Sequence, residues 1–523
     1  MGFLSMGARF LASRRLDRLR AHALDPRPVQ AALLLRWVRE ASSTRFGREH
    51  GFGEVSDVAS YQRAVPLRDY AAFQHYIQRS LAGDADVLWP GRTPFFALSS
   101  GTTSGEKYLP VTAETIRLNR GGGWDSMVPY LAQWPTADLF GGKFLFLGGS
   151  TSLRSHGAAW IGDNTGIMAR HIPSLLRRFH SPGIEVMAEP EWETKITETA
   201  DRAIDHDVRM ICGVPSWLVL LAERVLERAR ARRRRVQSLA DVWPRLELLV
   251  HGGTAFGPYR RRFEELLGKE ICTIDTYSAS EGGMLAVQDH AGQSAMLPIA
   301  DRGAFFEFVP TSELGADRPP RLLLHEVVPE VDYAVAVTTP SGFWSYLLGD
   351  VVRFTPTRPR RLTFTGRTAQ TLNAFGEHVS GGELERAVTD AAATLGLAVR
   401  EFAVAAHFPD GSSPRGRHVF YLELERGLAD PARLAAELDR RIRDGNEDYA
   451  AHRSRGFGLA TPEVRIAPRG SFYRWMAERG KLGGQNKVPR VLSPEHERGL
   501  VAVFTARREF DKNSGCEAPA AGS

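Results

Sequence analysis

The feature that most limits how this chain folds is an alternation. Short apolar segments, at Phe95–Leu98, Phe144–Leu147, Met210–Val214, Leu246–Val250 and Ile271–Ile274, recur with helical stretches between them and Gly or Ser turns close by. Four or five apolar residues in a row are too few for a buried helix and suit a buried strand. Strands of that kind separated by helices build an α/β domain.

The flanks differ in texture. Residues 1 to 90 read mainly as helices, with helical apolar spacing over Val29–Ser42 and Arg68–Ala82. The first twenty residues, with Leu and Phe on one face and Arg on the other, predict an amphipathic helix packed on the body. Downstream, Phe305–Val309, Arg321–His325 and Tyr333–Thr338 read as strands with little helix between them, so a β-rich portion closes the large domain. Two prolines between Arg353 and Phe364, followed by Phe364-Thr365-Gly366-Arg367, mark a boundary. The expected division is a large N-terminal domain over 1–366, a small α+β domain over 367–510 and a loose tail over 511–523. In the small domain Glu383–Thr394 and Pro431–Arg443 read as helices and Val419–Leu424 as a strand.

Composition narrows the function classes. The 67 Lys and Arg against 61 Asp and Glu leave +6 over 523 residues, a balance that does not demand nucleic acid. The six arginines of Arg228–Arg235 read as a solvated helix end. Three scattered cysteines (Cys212, Cys272 and Cys516) fit a reducing, cytoplasmic setting. No apolar run approaches the ~20 residues of a membrane helix, so no membrane partner is expected. His325-Glu326 begins like a zinc-protease motif but lacks the second His, and no CxxC or HxH spacing supports structural zinc.

The sharpest local signal is Ser99-Ser100-Gly101-Thr102-Thr103-Ser104-Gly105-Glu106-Lys107, directly after a strand-like segment. Small residues let a backbone approach phosphate, and hydroxyls and amides donate to its oxygens. Its spacing is not that of the kinase or GTPase phosphate loop: three residues separate the glycines, and Glu106 precedes Lys107. Three more sites end strand-like runs: His251-Gly252-Gly253-Thr254, Tyr277-Ser278-Ala279-Ser280-Glu281-Gly282-Gly283 and Tyr346-Leu347-Leu348-Gly349-Asp350. They offer ATP an aromatic for adenine (Tyr277), a carboxylate for Mg²⁺ (Glu281) and a carboxylate for the ribose hydroxyls (Asp350). Ligand sites in α/β sheets gather at such strand ends.

With these motifs in order, the chain resembles the acyl-acid amido synthetases related to plant auxin-responsive enzymes, within the adenylate-forming, firefly-luciferase-like superfamily. Arg45–Phe52, Ser60–Tyr70 and Arg479–Arg490 (RGKLGGQNKVPR) look like bacterial members, and the richness in Ala and Arg suits a bacterial source. The second motif reads YSASE where many plant members have YASSE, and the third carries Leu-Leu where they carry Arg-Val. The resemblance implies a large domain and a small mobile C-terminal one. It implies that ATP and Mg²⁺ activate a carboxylic acid as acyl-AMP, and that an amine, usually an amino acid, then takes the acyl group as an amide. Carried over, Ser99, Ser100, Gly101, Thr102 and Thr103 would cradle phosphate, Tyr277 would contact adenine, Glu281 would bind Mg²⁺ and Asp350 would hold the ribose. Gly252, Gly253, Ser280 and Arg367 are further nucleotide-contacting candidates. Lys487 would reach the α-phosphate, with Lys481 the competitor, and His378 begins the small domain. The acid pocket is expected on large-domain helices near Trp124–Met127 and Ser216–Leu221. Two alternatives stand beside this reading: transfer of the acyl group to a thiol of coenzyme A or a carrier protein, and a nucleotide-binding interaction protein without catalysis.

Overall fold

The structure is a computed structural model. It describes residues 3–100, 106–232, 235–253, 256–293, 295–368, 371–372, 377, 379–408, 416–428, 430–446, 449–450, 453, 459–482 and 486–513. They form two compact units, one from residues 3–256 and 264–368, the other from 257–263, 371–482 and 486–513.

The centre of the large unit is a seven-stranded sheet in the order Leu297–Pro298, Gly283–Val287, Cys272–Ala279, Leu248–Gly252, Val208–Gly213, Lys143–Phe146 and His180–Ser181. Its last five strands are parallel, so their carboxyl ends share one edge. Helices run between them, as the alternation predicts. The first apolar segment belongs elsewhere. Phe95–Ser100 pairs with Glu106–Val111 and Ala159–Gly162 in a separate four-stranded sheet. A third, antiparallel sheet joins Phe305–Pro310, Asp332–Thr339, Phe343–Phe354 and Leu362–Arg367, the β-rich portion. Arg321–His325 is not a strand. Only Leu322 bridges to Phe308, while the Arg321 guanidinium turns inward to the fully buried Glu307, at 2.7 Å.

The N-terminal helix, Phe3–Leu24, corrects a simple two-faced reading. Ala12, Arg15, Leu16 and Leu19 are buried, at helical spacing, while Phe10 and Leu11 are exposed. Arg15 lies inside because Asp125, fully buried, and Asp301 wait for it at 2.8 and 2.5 Å. A buried carboxylate needs a partner more than a phenyl ring needs cover.

In the small unit one sheet runs in the order Glu463–Ala467, Arg417–Leu424, Val399–His407, Val491–Leu492. Both faces are covered, which the period of two makes visible. Phe420, Leu422 and Leu424 point to the helices Gly381–Leu395 and Pro431–Gly445, while Val419 and Tyr421 point to Ser471–Glu478 and Pro494–Asn513. Ser380 and Glu383 close a capping box at the start of Gly381–Leu395. The last helix reaches Asn513, three residues into the stretch expected to be loose; residues 514–523 lie outside the described residues.

Candidate active site

At the shared carboxyl edge the strand Cys272–Ala279 delivers Tyr277 and then turns. The Gly282 N–H donates to the Ala279 carbonyl at 3.2 Å, and Glu281 sits in that turn. Gly283 follows with φ +75°, and a Cβ there would lie 1.8 Å from Asn119 Oδ1 on the helix Ala113–Asp125. Only glycine lets the turn close against that helix.

The antiparallel sheet brings the second half. The strands Phe343–Phe354 and Leu362–Arg367 place Asp350 directly opposite Arg367. The Tyr277 hydroxyl donates to Asp350 Oδ2 at 2.9 Å, and Arg367 Nε donates to Oδ1 at 3.0 Å. Asp350 is only 5% exposed and Tyr277 7%. Burial, then the neighbouring carboxylate, pushes the Tyr277 phenol well up. Asp350 also holds the Arg367 guanidinium above its ordinary value. The carboxylate is thus oriented by two donors and keeps further lone pairs on each oxygen.

Glu281 is set up differently. Among the described residues its carboxylate has no side-chain partner, although Ser341 Oγ donates to the Glu281 backbone carbonyl at 3.0 Å. It is half-buried; loss of hydration pushes its carboxyl up, a hydrogen bond from its own backbone N–H opposes that, Asp350 adds to the rise, and Arg367 and Lys107 oppose it. Two acids and two bases therefore share one field. Lys107 lies opposite Ser99 in the Phe95–Val111 hairpin, its ammonium 5.2 Å from the Tyr70 ring centre. Thr115, Leu118, Gly282, Gly303 and Thr339 lie around Glu281.

Of the sequence candidates, Tyr277, Glu281, Asp350 and Arg367 come together here, with Ser280 in the turn. Gly252 ends its strand so close to the next that a Cβ would meet the Thr276 carbonyl oxygen at 2.4 Å, and Gly253 follows it. The Ser99 and Ser100 backbone ends a strand; Gly101, Thr102, Thr103 and His378 lie outside the described residues. Lys487 is an exposed residue of the small unit, just ahead of the buried Arg490, and Lys481 follows the helix Ser471–Glu478. At Trp124–Met127, where the acid pocket is expected, Trp124 and Met127 are half-buried against a core cluster and Asp125 is held by Arg15. Two to three turns earlier the same helix places Thr115 and Leu118 beside Glu281. Thr339 and Ser341, hydrogen-bonded to each other at 2.5 Å, escaped the sequence reading. The hydroxyl-rich turn Thr338-Thr339-Pro340-Ser341-Gly342 between two strands is the signal that points to them.

Three family models match the chain: the GH3 family N-terminal domain over residues 15–197, its central domain over 297–367 and its C-terminal domain over 382–496. The chain belongs to the GH3 family. This GH3 chain is 24% identical to a probable indole-3-acetic acid-amido synthetase of Oryza sativa subsp. japonica, over 92% of this chain and 93% of that protein. It is 23% identical to a jasmonoyl-L-amino acid synthetase of the same species, over 91% and 94%. Its fold is that of the GH3.15 acyl acid amido synthetase, with a TM-score of 0.77 at 18% identity, covering 94% of each chain. Among the described residues no helix is long and apolar enough to cross a membrane.

Proposed function

We propose that this GH3 protein is an ATP-dependent ligase. It joins a small carboxylic acid to an amine, with an amino acid as the expected amine, and forms an amide by way of an acyl-adenylate. The observation that carries the reading is the convergence of Tyr277, Glu281, Asp350 and Arg367 in a chain matched along its length by amido synthetases.

A carboxylate is a poor electrophile. Its oxygen attacks the α-phosphorus of ATP and expels pyrophosphate; amine attack on the carbonyl carbon then releases AMP. Asp350, pinned by Tyr277 and Arg367, is pre-oriented to accept the ribose hydroxyls. Arg367 and Lys107 supply fixed positive charge beside the phosphate path, and such preorganised charge is where most catalytic stabilisation arises. Lys487 is our candidate for the cation that reaches the α-phosphate.

Glu281 suits Mg²⁺, a hard cation that binds through one or two carboxylates plus phosphate oxygens. Its carboxylate has no side-chain partner among the described residues and has lost hydration that a cation would replace. When bound, the ion would neutralise charge developing on the phosphates. A cytoplasmic setting and a bacterial source remain our readings of composition.

ATP–pyrophosphate exchange across a panel of carboxylic acids tests the proposal. Acid-dependent exchange that rises with Mg²⁺ is the expected result. ATP binding without exchange for any acid would favour the non-catalytic alternative.

A further inference from the structure

The turn between the strands Asp332–Thr339 and Phe343–Phe354 touches the segments of three motifs. Its Ser341 hydroxyl donates to the Glu281 backbone carbonyl at 3.0 Å. Its Pro340 carbonyl accepts from Thr112 Oγ1 at 2.8 Å, and Thr112 directly follows the strand Glu106–Val111 that carries Lys107. The strand leaving the turn runs on to Asp350. Gly342, with φ +97°, presses the turn against a neighbouring segment: a Cβ there would lie 2.5 Å from the Leu88 Cβ. One turn thus joins the segments that hold Lys107, Glu281 and Asp350.

Its contacts are buried and directed. Thr339, Ser341 and Ser345 are all 0% exposed. Ser341 has one hydroxyl proton, and the Glu281 carbonyl takes it, so the Thr339 hydroxyl, 2.5 Å away, donates to Ser341 Oγ. Just beyond the turn the pairing slips by one residue: Thr339 lies opposite Phe343, but Val337 lies opposite Tyr346. Trp344 and Ser345 therefore oppose Thr338 alone, and such bulges re-aim the chain beside active sites. Ser345 takes φ +49°, uncommon for a residue with a side chain. Its N–H donates to Thr338 Oγ1 at 2.9 Å and its hydroxyl to the buried Glu307 at 2.6 Å. Strained backbone persists only where its surroundings over-determine it, and it gathers at functional sites.

What this machinery holds is Glu281. That carboxylate has no side-chain partner among the described residues, so its place is set by its backbone. The Glu281 N–H donates to its own carboxylate, and Ser341 pins the carbonyl at the other end of the residue. The next residue is packed on the same pair: a Cβ on Gly282 would lie 3.3 Å from the Thr339 methyl.

We propose that the hydroxyl pair Thr339 and Ser341 are positioning residues, which act through the Glu281 backbone to set its carboxylate for magnesium on the nucleotide phosphates. The proposal rests on the ligase reading above. The ties to Thr112 and to the Asp350 strand fix that carboxylate relative to the other two motifs.

Calorimetry on the full chain measures ATP affinity with Mg²⁺ and with EDTA. In wild type Mg²⁺ raises the affinity. Thr339→Val and Ser341→Ala should each cut that rise by about five- to tenfold, the worth of one hydrogen bond, and leave the affinity in EDTA unchanged. Thr339→Ser keeps the hydroxyl and should behave as wild type. In a Glu281→Gln background no carboxylate is left to position, so Ser341→Ala should change the rise no further. An unchanged rise, an equal loss of affinity in Mg²⁺ and EDTA, or a full further loss on top of Glu281→Gln overturns the proposal. So does a Thr339→Ser variant that fails as Thr339→Val does. These comparisons need no turnover, so absence of pyrophosphate exchange would sink the ligase reading without touching them. If Mg²⁺ does not raise the wild-type affinity, the metal assignment in that reading falls, and unliganded stability decides the positioning. The pH-dependent stability gap between wild type and Glu281→Gln should then change when both carry Ser341→Ala, and an unaltered gap overturns the proposal. If Ser341→Ala melts well below wild type, the matched pair Thr339→Val and Thr339→Ser carries every comparison, with the same outcomes read the same way.

Discussion

Glu281→Gln separates the cost of a buried charge from its use. The carboxylate is half-buried, has no side-chain partner among the described residues, and its carboxyl is raised by loss of hydration and by Asp350. A raised carboxyl means that the folded protein holds this proton at pH values where the unfolded chain has released it. Stability therefore falls as pH rises from the ordinary glutamate range through the raised value. An incompletely compensated buried charge costs about 1–3 kcal/mol. The neutral amide removes that cost, so without ligand Glu281→Gln should be more stable than wild type by about 1 kcal/mol at neutral pH. In a unit of this size that is a rise of about 2 °C in Tm, or slightly less. The gap should close as pH drops toward 4.5, where wild type is protonated too. Magnesium and ATP should invert the order. At about a hundred times Kd, ligand stabilises wild type by about 2.7 kcal/mol, and the variant loses the magnesium-dependent share. Thermal unfolding by fluorescence between pH 5 and 8, with and without Mg²⁺–ATP, reads all three effects. A variant less stable than wild type without ligand, or a gap indifferent to pH, would refute the reasoning. So would equal Mg²⁺–ATP stabilisation of both proteins.

Three further outcomes follow from the same geometry. Tyr277→Phe keeps the ring but removes the donor 2.9 Å from Asp350 Oδ2, and calorimetry should show ATP binding weakened about tenfold. Lys487→Ala should slow pyrophosphate release by about 10²–10³ with ATP affinity unchanged, the usual loss of a group aimed at developing charge. Arg490, buried in the small unit, donates to Glu385 at 2.8 Å, to Glu401 at 2.5 Å and to the Phe402 carbonyl at 2.8 Å. Arg490→Met would strand two buried carboxylates at a cost of about 3–5 kcal/mol, and Arg490→Lys would recover little because one ammonium cannot replace a planar fork; thermal unfolding measures both.

The parts legible in the sequence are those governed by local pattern. Short apolar runs announce buried strands, and four of the five expected segments lie in the seven-stranded sheet. Tyr277, Glu281 and Asp350 stood out because their motifs end strand-like runs, and the fold brings the three together. What escaped depends on partners far along the chain. Phe95–Ser100 pairs outside the main sheet because its partners are chosen by three-dimensional proximity. Arg15 looks like surface charge until Asp125 and Asp301 are placed, 110 and 286 residues away. Likewise nothing local shows that Asp350 meets Tyr277, 73 residues earlier, or that Lys195 is buried rather than solvated. Charged residues read as exposed by default, and those that are not mark the places where the fold does something specific.

The most direct test of the central claim follows one oxygen. The acid is supplied with ¹⁸O in its carboxylate, together with ATP, Mg²⁺ and an amino acid, and the products are weighed by mass spectrometry. Attack of the carboxylate on the α-phosphorus, followed by amine attack on the carbonyl carbon, must leave one ¹⁸O in AMP and yield an amide. Label in inorganic phosphate, unlabelled AMP, or a thioester formed with coenzyme A where no amide appears would contradict the account.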